Sequence, residues 1–212
     1  MEITLAGTII QLLPQKALFL PEHSLLVLGD LHLGKAMHFR KAGIFMPAAS
    51  AADDYTMLHR LFQTYQPRQV FFLGDLFHSL HNSEWQQFGQ LLDQYPGISF
   101  TLIRGNHDIL KDSEYRQIGL QVVEGALRLG DLIFAHEPMT EIPEGAINIA
   151  GHIHPGCVLR GLGRQSLTLP CFYLSGQTFL LPAFGRLTGL HVLSRDRATS
   201  VFAVLPERVV AV

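Results

Sequence analysis

Charge is scarce in this chain. Asp, Glu, Lys and Arg together make up 16% of its 212 residues, and the formal net charge is −2. That balance excludes a general polyanion-binding field, so any contact with nucleic acid must come from a local basic patch. Cysteine is scarcer still. Cys157 and Cys171 are too few for a disulfide scaffold and are expected to stay reduced and pack as small apolar side chains. No apolar run approaches the roughly 20 residues needed to cross a bilayer, and the N-terminus carries no basic-then-apolar leader. No repeat, low-complexity tract or charged linker marks a boundary. These absences predict one cytoplasmic domain over residues 1–212, without a membrane partner and with the oligomeric state left open.

Apolar residues are plentiful, at 48%, which is ample for a packed core. Residues 2–12 and 17–20 read as two strands broken by the turn signal Pro14-Gln15. The runs Leu25–Leu28, Val70–Leu73 and Ile98–Ile103 read as buried strands. Met57, Leu58, Leu61 and Phe62 recur at helical spacing, predicting a helix from Pro47 to Tyr65. A second helix is predicted from Ser83, a candidate N-cap, to about Tyr95, where Pro96-Gly97 stops it. From Gln121 onward the pattern turns to short strands, with turns at Gly125, Gly130, Gly161-Leu162-Gly163 and Ser175-Gly176. The front half thus alternates strand and helix, and the back half is β-rich.

Five short segments place Asp, Asn or His where a strand gives way to a loop. They are Gly29-Asp30-Leu31-His32, Gly74-Asp75, Gly105-Asn106-His107-Asp108, Ala135-His136 and Gly151-His152-Ile153-His154. In an open α/β sheet, ligands bind beyond the carboxyl ends of the strands, so such loops can converge on one crevice. Carboxylate, amide and imidazole donors without thiolate suit two divalent cations, and paired metals point to phosphate-ester chemistry. Taken singly, Asp30 or Asn106 after glycine is better read as a turn residue, and His136 as a hydrogen-bonded core histidine. Jointly that reading fails, because it must explain five coincident polar interruptions at apolar strand ends. Asp30 and His32, two apart in an extended strand end, are expected to project to the same side.

The five ordered blocks resemble the calcineurin-like metallophosphoesterases, whose pattern runs Asp-x-His, Gly-Asp, Gly-Asn-His-[Asp or Glu], a lone His, then Gly-His-x-His. Within that superfamily, Leu28 to Lys35 and the late segment Leu181-Pro182-Ala183-Phe184-Gly185 look like the bacterial ligase-associated DNA damage response endonucleases. The resemblance implies an α/β fold, a four-layer α-β-β-α sandwich of two stacked mixed sheets. It implies two metal ions, manganese by preference, with iron, magnesium, zinc or nickel as alternatives. One ion would take Asp30, His32, Asp75 and His154, the other Asp75, Asn106, His136 and His152. His107 would be the non-ligand histidine that protonates the leaving oxygen, oriented by Asp108, while a hydroxide between the ions attacks phosphorus in line.

Lys35, Arg40 and Lys41 follow the first block directly, and Lys35 and Arg40 are candidates for phosphate contact. His78 departs from relatives that carry Asp there and is a candidate substrate contact. The function expected is a metal-dependent phosphodiesterase, a DNA endonuclease associated with repair, with DNA ligase and helicase as functional partners by resemblance. The alternatives are a phosphodiesterase for cyclic nucleotides or nucleotide-sugar lipids, and a non-catalytic metal-stabilised scaffold. A lipid substrate would call for a larger amphipathic cap than Lys35 to Pro47 provides, and the filled ligand positions argue against a scaffold.

Overall fold

A computed structural model describes residues 1–35, 49–77, 83–161, 163 and 165–212, with only the backbone of residues 49–52 and 83. Arg40, Lys41 and His78 lie outside the described residues, as does most of the Lys35-to-Pro47 segment.

The first half of the chain builds one sheet from β1 (Glu2–Leu5), β2 (Thr8–Leu13), β3 (Ala17–Leu20), β4 (Leu25–Gly29), β5 (Gln69–Leu73), β6 (Ser99–Ile103) and β7 (Leu120–Val123). These pair in chain order, antiparallel from β1 to β4 and parallel from β4 to β7. Helices α1 (Ala49–Tyr65), α2 (Ser83–Asp93) and α3 (Asp112–Gln117) fall within the same half. The span 2–12, which reads as one strand, is a hairpin instead. Ala6 and Gly7 both have positive φ (45° and 76°), and Leu5 pairs with Thr8 across them. Two positive φ values are what a two-residue turn needs to match strand twist.

After a turn at Gly125, the chain enters a second sheet. Its strands are β8 (Ala126–Leu129), β9 (Leu132–Ala135), β10 (Ile147–Ala150), β11 (Pro155–Arg160), β12 (Ser166–Ser175), β13 (Thr178–Leu180), β14 (His191–Val192), β15 (Ser200–Val204) and β16 (Val209–Ala211). Here β9, β10 and β13 run parallel, and the remaining pairs are antiparallel apart from β11 with β14.

Period-two alternation in the buried strands makes the layers. In β4, Leu26 and Leu28 face the helices and meet Leu58, Phe62 and Phe88, while Leu25 and Val27 face the second sheet with Phe134, Ile149 and Phe179. Burying each such side chain contributes about 1.5–3 kcal/mol. The stacked mixed sheets match the fold class read from the sequence. Among the described residues, the helices all pack on the outer face of the first sheet. A smaller cluster around Cys157, Cys171, Val201 and Ala203 lies in the second sheet, with both thiols free.

Candidate metal centre

Parallel pairing aims the carboxyl ends of β4, β5 and β6 in one direction, and those of β9 and β10 likewise. The loops leaving these five strands meet. Strand β4 delivers Asp30 and His32, β5 delivers Asp75, β6 delivers Asn106 and His107, β9 delivers His136, and β10 delivers His152 and His154. The extended geometry implied by the Asp-x-His spacing is not how they are placed. Asp30, His32, Asp75, His152 and His154 all have left-handed backbone, with φ of 53°, 47°, 49°, 66° and 53°. Each costs about 1–3 kcal/mol for a residue with a Cβ, and such strain collects at functional sites. His152 and His154 enter different clusters, while Asp30 and His32, at the same spacing, share one.

Backbone hydrogen bonds fix these turns. His32 N–H donates to Asp75 O (2.9 Å) and Leu33 N–H to Leu76 O (2.9 Å), carrying the β4–β5 pairing beyond both strands. His152 N–H donates to Asp30 Oδ2 at 2.8 Å and His107 N–H to Asp75 Oδ1 at 3.0 Å. Gly151 makes room for the first of these, since a Cβ there would lie 2.5 Å from Asp30 Oδ2.

Two clusters result. In each of Asp30–His32–His154 and Asp75–His136–His152, the donor atoms lie within 4.8 Å of one another. Asp75 stands between them, with Oδ2 at 3.7 Å from His32 Nε2 and Oδ1 at 3.5 Å from His136 Nε2. Asn106 Oδ1 lies 3.0 Å from His136 Nε2. Leu73 O accepts from His136 Nδ1 at 3.0 Å, which fixes the tautomer and leaves Nε2 with a bare lone pair. Two acceptors, Asn106 Oδ1 and His136 Nε2, thus face each other. In the other cluster, Asp30 Oδ1 and His154 Nε2 are buried 3.3 Å apart without a hydrogen-bond partner among the described residues. Leaving a buried acceptor unsatisfied costs about 1–3 kcal/mol. A cation in each cluster removes the conflict, and oxygen and imidazole donors fit divalent metals. These are two candidate metal sites.

A sequence profile described as calcineurin-like phosphoesterase matches residues 23–165, which contain every one of these donors. The chain belongs to that family. Its members use a dinuclear metal centre and act on phosphoesters as hydrolases. Pseudomonas putida nuclease MPE is similar over the whole structure, with a TM-score of 0.85 and 29% identity, covering 100% of this chain and 99% of that one. The Escherichia coli phosphoesterase Yfce aligns more loosely, at a TM-score of 0.46 and 13% identity over 88% of this chain and 96% of that one. No sequence among the curated proteins matches the chain.

Other positions in this calcineurin-like domain qualify the sequence reading. His107 is exposed at the mouth, its ring 6.0 Å from that of His32 and edge-on to it. Asp108 makes no hydrogen bond to it. Its two oxygens accept from Leu76 N–H (3.0 Å) and Gly105 N–H (2.9 Å), so this carboxylate joins the second and third loops. Burial raises its pKa to about 6, against the two N–H donors. Lys35 lies beside His32 and Gly34, its pKa lowered by burial and partly restored by Asp75.

Sequence reasoning missed two supports. Arg104 donates to the carbonyls of Asp108 and Leu110 and pairs with Asp112 and Glu124, bracing the third loop. The late segment Leu181–Gly185, noted for resemblance alone, is a strap. Leu181 N–H donates to Ala150 O (2.8 Å), Phe184 N–H to Gly29 O (2.8 Å) and Gly185 N–H to Asp30 O (3.1 Å). A Cβ on Gly185 would run into the carbonyl oxygen of Leu31. Lys16 completes the strap, with Nζ 3.4 Å from Gly185 O and above the Phe184 ring.

Proposed function

We propose that this protein is a dinuclear-metal nuclease acting on DNA, with manganese as the working ion. The convergence of two buried donor clusters on Asp75 carries the reading, and the likeness to a nuclease across the full chain supports it. In this reading Asp30, His32, Asp75 and His154 hold one cation, and Asp75, Asn106, His136 and His152 hold the other. Bound there, the pair would neutralise the phosphoryl oxygens and activate water for in-line attack. Asp75 holds the two halves of the site in register, Lys35 draws the backbone phosphate to the first cluster, and His107 hands a proton to the leaving oxygen. The exposure of His107, among ligands that are mostly buried, suits a group that must reach substrate.

The test is metal content and digestion together. Circular single-stranded DNA, linear duplex DNA and RNA are offered in parallel to the manganese-loaded protein and to Asp75→Asn. Cleavage of the circular DNA with two ions per chain, both lost in the variant, is the expected result. Full turnover by Asp75→Asn would remove the shared-carboxylate assignment, and cleavage of RNA alone would remove DNA.

A further inference from the structure

A groove of about 660 Å3 opens off the second donor cluster, with Asn106 and His136 on its wall. That size falls within the roughly 300–1,000 Å3 of small-ligand pockets. Gly125, Ala126 and Ala135 line it and keep it open, and Pro138 and Met139 add an apolar wall. The wall is anchored from below. Met139 N–H donates to Asn148 Oδ1 at 2.9 Å, and Asn148, fully buried in β10, donates through Nδ2 to Ile133 O at 3.1 Å.

The charges of the groove select its occupant. Glu137 and Glu141 are exposed along it, and Arg104, the one cation in its lining among the described residues, is already paired with Glu124 and Asp112. A flat apolar group bearing N–H or O–H donors is matched here. The direction of the reaction follows from His107. Its ring neighbours His32 in the first cluster, so the leaving oxygen lies on that side. The substituent that stays on phosphorus is therefore the one directed to the second cluster.

We infer that this groove is a nucleoside subsite for the retained side of the scissile diester. The base lies against Pro138 and Met139, and its donors turn toward Glu137 and Glu141. This rests on the phosphodiesterase reading above, and the test separates the two.

Rates with manganese are measured on thymidine 5′- and 3′-(p-nitrophenyl phosphate) and on methyl p-nitrophenyl phosphate. All three release the same phenolate and differ in the retained group alone. The better thymidine ester should exceed the methyl ester in kcat/KM by about tenfold or more, equivalent to at least ~1.4 kcal/mol. Ala126 is exposed at the start of β8 and pairs with Ala135 beside His136, so Ala126→Trp should fold while filling the groove. It should bring the thymidine-to-methyl ratio close to one with both metals still bound. The Glu137→Gln/Glu141→Gln double variant should lower the thymidine-to-methyl ratio, because it weakens the acceptors that face the base. A wild-type ratio near one, or a ratio untouched by Ala126→Trp, overturns the subsite while leaving the phosphodiesterase standing. A wild type that turns over none of the three esters overturns both.

Discussion

His107 and Asp108 are adjacent in sequence but face different tasks. His107 is exposed beside His32 and belongs to neither donor cluster found among the described residues, so His107→Gln should keep both metals. General acid assistance typically contributes ~100- to 10,000-fold, and its value grows with the basicity of the leaving oxygen. The variant should therefore lose most of its rate on DNA and far less on a nitrophenyl diester, whose phenolate departs unprotonated. Equal losses on both would assign His107 to charge stabilisation at phosphorus. Asp108 is buried and accepts two backbone N–H groups. Asp108→Asn places an amide NH2 against one of those donors, which should destabilise the fold by about 1–3 kcal/mol. Thermal unfolding of the two proteins measures this, and an unchanged midpoint would mean that the loops hold without it.

At the scale of elements, the strap is the part with the least side-chain signal and the most direct hold on the first ligand. Gly185→Ala should push Leu31 O away and shift Asp30, whose carbonyl accepts from Gly185 N–H. Residues that orient ligands typically govern metal affinity by about 10- to 100-fold. Titration should show that loss at the first cluster and much less at the Asp75–His136–His152 cluster; equal weakening of both would point to general unfolding. How much was legible also varies by element. Strands β4, β5 and β6 were readable because burial on both faces makes most of their residues apolar, and the donors stood out as polar breaks at their ends. The sorting of His152 and His154 into separate clusters was not readable, because the same two-residue spacing puts Asp30 and His32 into one cluster. Helix α3 escaped because Lys111 occupies its N-cap, where Ser, Thr, Asp or Asn would have marked a start. Lys16 escaped because the carbonyl it approaches is 169 residues away.

Across the whole molecule, Lys16 and Asp54 carry a pH dependence that is separate from the metal ligands. Burial lowers the Lys16 pKa to about 8, opposed by the charge of Asp54, and burial raises the Asp54 carboxyl to about 6, opposed by Lys16. Between pH 8 and the ordinary lysine value of 10.5, the unfolded chain holds the Lys16 proton more tightly than the native one. Its contribution to stability therefore rises with pH across that window. For Asp54 the native state holds the proton more tightly between 3.8 and about 6, so its contribution falls as pH rises there. Unfolding midpoints should show the wild type gaining on Lys16→Met from pH 8 to 10.5; a difference flat across that window would place the amine in water. The same scale shows what the division of the donors between two sheets entails. Asp30, His32, Asp75 and Asn106 come from one sheet and His136, His152 and His154 from the other, so an ion in either cluster rivets two layers that the chain joins at Gly125. Positions as distant as residues 30 and 152 are pinned together in the fold, and an ion that binds only this folded arrangement stabilises it by mass action. An ion seated there holds both layers at once, so the reactive centre doubles as the fastener of the fold.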